Sequence, residues 1–270
     1  MTAPLPDYEV FAIRYAAREA RRRDHFIGGD PHDAPMPMDY FVWTAVGPDG
    51  RAFVIDTGFN AEVAAQRGRN HLRCPIQSLR LVGVDPDQVE DVIITHLHYD
   101  HVGNFSLFPK ARFHLQEPEL AYATGKYMRH PKLSHAFEVE DVCGIVRMNY
   151  GGRVVFHHGE AEVAPGISVH LVGGHTGGLQ FVRVHTKRGW VVLASDASHY
   201  YENMETGRPF SVALHVGDML EAFDTLRAKA ESPEHIVPGH DPLVMQRYPA
   251  PTPELEGVVV RLDEAPTRAA

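Results

Sequence analysis

One short stretch near the middle of the chain restricts the possible folds more than any other feature. It follows the apolar run Val92–Ile94, which has the composition of a buried strand, and it holds four potential metal ligands within six residues. Alternate residues of a strand face opposite ways, so these ligands cannot all reach one ion unless the chain turns after Thr95. Such a turn would direct the first two side chains to one ion and the last two to a second. The four ligands are His96, His98, Asp100 and His101.

The composition excludes several classes of protein. With 270 residues, 44% of them hydrophobic, the chain can bury a large core, and we expect a single domain over residues 1–270. The formal net charge of -9 and the lack of a sustained Lys/Arg run argue against nucleic-acid binding, which needs clustered positive charge. No stretch approaches the ~18 to 20 apolar residues of a membrane span, and the N-terminus lacks a signal-peptide pattern. We therefore expect a cytoplasmic protein with neither nucleic-acid nor membrane partners.

Histidine is the residue type in excess, with 18 copies. It is the commonest metal ligand among the side chains. The cysteines, Cys74 and Cys143, are far apart and have no CxxC partner, so they indicate neither a disulfide nor a thiolate zinc site.

Strand-like and helix-like segments alternate along the chain, which predicts the α/β class. Aromatic and β-branched residues predict strands at 8–15 and 39–46, and a turn at 47–50 leads into another strand at 52–55. Amphipathic helices are expected at 75–83 and, most clearly, at 215–230. Other segments that fit a strand are 91–95, 111–115, 153–156, 167–172, 180–185 and 190–194, and those that fit a helix are 117–124 and 138–148.

Three other segments lack clear periodicity. Residues 28–38 contain several Gly and Pro residues, which predict a surface loop. Within residues 125–150, the stretch 126–137 mixes Tyr, Met, His and Pro, and the whole segment could cover a cleft. After Pro249 the chain is Pro-rich and polar, and we expect a poorly ordered tail.

Further candidate ligands follow predicted strands in the second half. His175 lies in a Gly-rich loop, Asp196 ends a buried strand, and His240 ends another. Each is weak evidence alone, because a Gly-rich turn contains a histidine by chance about as often as by function. Asp56 also ends a strand, where it could belong to a site at the sheet edge or cap the helix that follows.

Taken in this order, the ligands resemble a known series. His96 to His101, followed by His175, Asp196 and His240, is similar to the ligand series of the metallo-β-lactamase superfamily, and Asp56-Thr57-Gly58 resembles its first motif. The resemblance covers about residues 39–240. It implies a metallo-β-lactamase fold, a four-layered αβ/βα sandwich with a dinuclear metal site between the two sheets. It assigns His96, His98 and His175 to the first metal, Asp100, His101 and His240 to the second, and Asp196 to both.

Within the superfamily, the ligand spacing and chain length are similar to those of the N-acyl homoserine lactonases, the quorum-quenching lactonases. That family commonly has a Tyr three residues after the bridging Asp, where it contacts the substrate carbonyl. This chain has His199 there, followed by Tyr200 and Tyr201. Either His199 or Tyr200 takes over that contact, or the substrate differs. An ordinary loop of aromatic residues is the alternative.

The resemblance implies a hydrolase with two divalent metal ions, zinc by default, with Fe, Mn or Co also suited to mixed N/O ligands. It would open a lactone ring, first of all that of N-acyl homoserine lactones, by attack of a metal-bridging hydroxide. Asp100 or Asp196 would pass the proton to the ring oxygen, and Tyr200 or His199 would donate to the oxyanion. An esterase or lactonase for another small ester and a glyoxalase II-like thioesterase stay open as alternatives. The expected partner is a small ester or lactone, and the resemblance is consistent with a homodimer.

The substrate pocket is expected to be apolar. The 28–38 loop, Tyr99, Phe105 and the 125–150 segment could line a channel suited to an acyl chain. Packing in the core is the alternative for any one of these residues.

Overall fold

Two β-sheets and the helices that cover them make up residues 4–267, the part of the chain that the computed structural model describes. The strands in this part are β1 (Glu9–Arg18), β2 (Met38–Val46), β3 (Ala52–Ile55), β4 (Asn70–His71), β5 (Asp91–Ile93), β6 (Arg112–Gln116), β7 (Val154–His157), β8 (Glu160–Ala164), β9 (Ile167–Leu171), β10 (Gln180–Thr186), β11 (Gly189–Ser195), β12 (Ile236–Pro238) and β13 (Val259–Arg261). The α-helices are α1 (Ala61–Gln66), α2 (Pro75–Ser78), α3 (Tyr99–Val102), α4 (Glu117–Ala123), α5 (Pro131–Ser134), α6 (Val139–Tyr150), α7 (Tyr201–Thr206), α8 (Val216–Lys229) and α9 (Leu243–Arg247).

The first sheet has the strand order β13-β1-β2-β3-β5-β6-β7, with β4 paired to β1. Its strands run antiparallel from β13 to β3 and parallel from β3 to β7. The second sheet has the order β12-β11-β10-β9-β8. Its β11–β12 pair is parallel and its other pairs are antiparallel. The parallel strands end at the same edge of each sheet, which is where a site can form.

The strand β2 shows why the sheets lie face to face. Phe41 and Trp43 belong to the apolar cluster that also contains second-sheet residues such as Val182, whereas Tyr40 and Val42 belong to the cluster on the other face. A strand buried on both faces needs a nearly continuous apolar run, which β2 has. The helices α4 and α6 contact β6 and β7, and α8 contacts β11. The layers are therefore helix, sheet, sheet and helix, as the resemblance implied.

Most of the predicted elements are confirmed, but three segments differ. The helix expected over 75–83 ends at Ser78 and continues as a 3-10 turn over Leu79–Val82, which Gly83 terminates at a φ of 78°. The strand β8 was missed; its alternation of exposed and half-buried residues marks it as an outer strand. The tail after Pro249 is not poorly ordered throughout: β13 pairs with β1 and buries Val259 and Val260. The tail's few apolar residues are thus enough to dock it on a sheet edge.

No helix within residues 4–267 is both long and apolar enough to cross a membrane.

Candidate metal centre

The His-rich stretch forms a tight turn at the end of β5. The strand stops at Ile93, and α3 begins at Tyr99 with His98 as its N-terminal capping position. The chain therefore leaves the strand geometry where the ligand spacing predicted that it must. The side chains of His96, His98, Asp100 and His101 are all buried.

A first group of ligand atoms converges around His98. Its Nδ1 lies 3.0 Å from His96 Nε2 and 2.9 Å from His175 Nε2. Oδ2 of Asp196 completes the group, 3.1 Å from His175 Nε2 and 3.6 Å from His96 Nε2. The four side chains come from the His-rich turn, the Gly-rich loop after β9 and the end of β11.

A second group faces the other oxygen of Asp196. Oδ1 of that carboxylate lies 2.9 Å from His240 Nε2 and 3.3 Å from His101 Nε2. Asp100 Oδ2 lies 3.8 Å from each of these two nitrogens. Asp196 therefore has one oxygen toward each group, which is the arrangement expected of a bridging carboxylate. All seven residues predicted as ligands are thus brought together.

The donor atoms fit divalent cations better than they fit one another. Imidazole nitrogens face imidazole nitrogens in the first group, and one N–H cannot satisfy three converging nitrogens. In the second group, Nε2 of His101 is buried and has no hydrogen-bond partner within residues 4–267. A buried polar atom without a partner is costly, and imidazole with carboxylate is a donor set that suits divalent metals.

The pKa shifts of two histidines in the first group also agree with metal binding. Burial and neighbouring imidazoles lower the pKa of His96 and His98 well below its ordinary value. The neutral imidazole that results is the form that binds metals. Burial also acts on His240, but the Asp196 carboxylate outweighs it and raises the pKa of that ring.

Asp56 holds the second group in place from behind. Its Oδ2 lies 2.7 Å from His101 Nδ1, and its two oxygens accept hydrogen bonds from the backbone N–H and hydroxyl of Thr95. The helix α1 is capped by Asn60 instead, so Asp56 belongs to the site and not to the helix cap. Asp56 has a φ of 60° and Ser195, next to Asp196, a φ of 47°. Such left-handed non-glycine residues store strain, which is typical of functional sites.

Glu119 is a site residue that the sequence analysis missed. Its buried carboxylate accepts hydrogen bonds from Leu97 N–H (2.9 Å), Thr176 Oγ1 (2.7 Å) and Gly178 N–H (2.8 Å). It therefore ties the His-rich turn to the loop that carries His175. A Cβ on Gly178 would lie 2.1 Å from the backbone nitrogen of Glu119, which explains a glycine in this loop. No ligand spacing marks Glu119, because its partners are distant in sequence and two are backbone groups.

The two candidates for carbonyl contact lie in different environments. His199 Nε2 is 3.0 Å from Asp196 Oδ2, and its ring stacks on Phe210 at a centroid distance of 3.5 Å. Burial lowers the pKa of His199 to about 3. The Tyr200 hydroxyl instead lies 3.0 Å from His25 Nε2 and donates to the Pro37 carbonyl at 3.2 Å. The structure thus brings His199, but not the Tyr200 hydroxyl, to the ligand cluster.

A cavity of about 90 Å³ opens over the ligands. Of the expected lining, Met38, Tyr99 and Ala136 border it, whereas Phe105 does not and instead packs against Phe113. The expectation of an apolar channel is wrong in one more respect. Three arginines also border the cavity: Arg18, Arg67 and Arg69.

Comparison with known proteins places these observations in a family. The family model described as "Metallo-beta-lactamase superfamily" matches residues 39–240. The N-acyl homoserine lactonase AiiA of Bacillus thuringiensis subsp. kurstaki is 31% identical over 137 residues, which is 50% of this chain and 49% of the relative. The N-acyl homoserine lactonase AiiB of Agrobacterium fabrum is 29% identical over 164 residues, 55% of this chain and 59% of the relative. The chain thus spans about half the length of the curated relatives it matches.

Solved structures with the same fold cover more of the chain. A quorum-quenching N-acyl homoserine lactone lactonase superposes with a TM-score of 0.72 at 20% identity, over 90% of this chain and 95% of the other. AidC, a dizinc quorum-quenching lactonase, gives a TM-score of 0.69 at 15% identity, over 90% of both chains. At these identities the likeness shows the fold alone. With the family model matched across the whole ligand series, the chain belongs to the metallo-β-lactamase superfamily.

Proposed function

We propose that this chain is a metal-dependent hydrolase that opens a lactone ring, with N-acyl homoserine lactones as the first substrate class to test. The observation that carries the proposal is the position of Asp196, which presents one oxygen to each of two ligand groups beneath a cavity. The lactonase names of the relatives support the choice of reaction.

The residues present would hold two divalent cations. His96, His98 and His175 would bind the first, Asp100, His101 and His240 the second, and Asp196 both. When bound, such cations lower the pKa of a nearby water toward neutrality and polarise an ester carbonyl. Zinc is the first ion to test, since His-rich sites commonly bind it, and Fe, Mn and Co come next.

Other tasks fall to the protein's own groups. His199 presents Nε2 toward the ligand cluster and borders the cavity, so it can donate a hydrogen bond to the carbonyl oxygen of a bound ester. Asp100 borders the cavity as well, and its carboxylate can carry a proton to the ring oxygen that leaves. Phe210 stacks on His199 and covers one face of its ring. Glu119 and Asp56 hold the loops that carry the candidate ligands in position through hydrogen bonds.

A panel of substrates tests the proposal. We expect protein loaded with Zn, Mn, Co or Fe to hydrolyse N-acyl homoserine lactones or γ-butyrolactone faster than an aryl ester or a glutathione thioester. Turnover of the aryl ester alone would assign the chain to the general esterases. Preference for the thioester would favour the glyoxalase II-like alternative, and inactivity on all lactones with every metal would refute lactone hydrolysis.

A further inference from the structure

Two arginines, Arg18 and Arg69, border the cavity beside the metal centre. In the pairing of β1 with β4, Ala16 lies opposite His71 and Ala17 opposite Asn70. Arg18 is the last residue of β1 and Arg69 directly precedes β4, so the two arginines flank the end of this pairing. Like charges on neighbouring elements repel one another. Two such arginines therefore call for a compensating group.

Neither arginine forms a salt bridge with a carboxylate within residues 4–267, although the Asp100 carboxylate acts on Arg69 through space. Nε of Arg18 is buried and has no hydrogen-bond partner in the described part of the chain. Arg69 donates from Nε to the Tyr99 hydroxyl at 3.0 Å and from Nη1 to the Arg67 carbonyl at 2.7 Å, both of them neutral acceptors. A buried or half-buried cation without a counter-charge is costly.

Neighbouring arginines show that carboxylate partners are available in this region. Arg14, on the same strand as Arg18, pairs with Asp39, and Arg67 pairs with Glu138 at 2.7 Å. Arg67 borders the cavity as well, but its charge is balanced. Arg73, Arg153 and Arg188 also donate to backbone carbonyls without a carboxylate partner in the described part of the chain, but they lie outside the cavity lining. Arg18 and Arg69 are thus the cavity arginines that lack such a partner, in a chain whose net charge is -9.

Both arginines border the same cavity as the ligands His98, Asp100 and His240. The carboxylates at the floor of that cavity, Asp100 and Asp196, belong to the ligand groups and would be engaged by cations. The cavity has a volume of about 90 Å³ and lies directly over these ligands.

We infer that the substrate of this centre is a small lactone or ester that carries a second, anionic group, a carboxylate, which Arg18 and Arg69 bind. The inference rests on the proposed lactone hydrolysis and favours anionic lactones over the neutral N-acyl homoserine lactones as substrates. Arginine binds carboxylates through paired N–H donors, and Nη2 of Arg69 and the guanidinium of Arg18 supply such donors. An N-acyl homoserine lactone is neutral and leaves both charges unmatched.

The test compares β-carboxy-γ-butyrolactone with the matching β-carboxamide, which has the same ring and nearly the same shape without the charge. We expect the metal-loaded protein to open the carboxylate with a kcat/KM about 10- to 100-fold higher, the range of a charged hydrogen bond. Arg18→Met and Arg69→Met keep the aliphatic stem and should abolish this preference, mainly through KM. Arg80→Met removes an exposed arginine outside the cavity lining and should retain the preference.

Each outcome is decisive for one of the two proposals. Equal kcat/KM on both lactones, or a preference that survives Arg18→Met and Arg69→Met, would overturn the anion subsite and leave lactone hydrolysis intact. If neither lactone is opened, the proposed function fails, and calorimetric binding to the metal-loaded protein decides the subsite. Tighter binding of the carboxylate than of the carboxamide, lost in Arg18→Met, supports it; equal binding overturns it.

Discussion

His199 and Tyr200 are consecutive residues whose side chains serve different parts of the molecule. The imidazole of His199 is directed to Asp196 and borders the cavity, whereas the Tyr200 hydroxyl joins the 25–37 segment to the start of α7. We therefore propose a catalytic contact for His199 and a structural contact for Tyr200.

Substitution of each residue separates the two roles. His199→Ala should lower kcat about 10²-fold, the effect of removing one oxyanion donor, at unchanged metal content. Tyr200→Phe should keep kcat within about threefold and lower the free energy of unfolding by about 1 kcal/mol for its lost hydrogen bond. Lactone kinetics and thermal unfolding measure both effects. A folded Tyr200→Phe protein as inactive as His199→Ala would reverse the assignment.

Asp141, in the first turn of α6, gives a prediction about pH. Burial, with Glu138 and Glu140 nearby, raises the pKa of this carboxyl to about 6, and one of its oxygens has no hydrogen-bond partner in the described part of the chain. Because the folded-state pKa is raised, Asp141 favours folding while protonated, below about pH 4, and this contribution is lost as pH rises through about 6.

We therefore expect Asp141→Asn to be more stable than the parent protein by about 1–3 kcal/mol above pH 7, with the difference vanishing below pH 4. Chemical denaturation across this pH range measures it. Glu221→Gln, an exposed change on α8, is the control and should show no such pH dependence. A constant difference between Asp141→Asn and the parent at every pH would show that the ionised carboxylate is not the cause.

That the seven candidate ligands lie close together was predictable from sequence for a physical reason. Each is a chemically distinctive side chain within a few residues after a strand, and strand ends gather at the edges of a sheet. The choice between His199 and Tyr200 was not predictable, because the two residues are consecutive in an irregular loop and their side chains point in different directions. Arg18 and Arg69 were not predictable either, because they meet only at the cavity.

At the scale of elements, the candidate ligands of the metal centre lie on separate loops. No strand pairing or helix in the described part of the chain joins the His-rich turn to the Gly-rich loop. Glu119, on the first turn of α4, fills that gap by accepting hydrogen bonds from the His-rich turn and from the Gly-rich loop. One buried carboxylate thus fixes the relative position of His96, His98 and His175.

Glu119→Gln tests this role, since it keeps the size of the side chain but places an N–H₂ group against N–H donors. We expect metal affinity to fall about 10- to 100-fold, as for other groups that orient metal ligands. Competition with a chelator measures the affinity. Glu117→Gln, an exposed change on the same turn, should leave affinity unchanged. Equal affinities of Glu119→Gln and the parent protein would contradict a positioning role.

Among the elements, the long strands were predictable because their alternating or continuous apolar patterns are strong. The tail was mispredicted because Pro-rich composition dominates its sequence. Its strand β13 has three residues, which is too short to show a periodic pattern in the sequence. It is recognised as a strand only by its pairing with β1.

For the whole molecule, β13 closes the edge of the first sheet and buries Val259, Val260 and Leu262. At ~1.5–3 kcal/mol for each buried aliphatic side chain, these three contribute roughly 5–9 kcal/mol, comparable to the net stability of a domain. A chain truncated after Pro249 should therefore fail to fold or aggregate, and Leu262→Ala should lower the free energy of unfolding by about 2–4 kcal/mol. Denaturant unfolding measures the second effect. A truncated chain with the parent's stability would show that the tail is dispensable.

The two-sheet architecture also explains why the site forms at all: His96 to His101 follow the first sheet, and His175, Asp196 and His240 follow strands of the second. Asp196 contacts candidate ligands that follow the first sheet and others that follow the second. The two sheets must therefore be packed against each other before the two ligand groups can assemble.

The most direct test of the central claim is a titration of chelator-treated protein with a divalent metal while lactone hydrolysis is followed. Ligation by two groups that share Asp196 predicts that activity rises and saturates at two metal equivalents for each chain. Saturation at one equivalent would contradict a dinuclear centre, and activity that is independent of metal, or absent at every loading of Zn, Mn, Co and Fe, would contradict metal-dependent lactone hydrolysis.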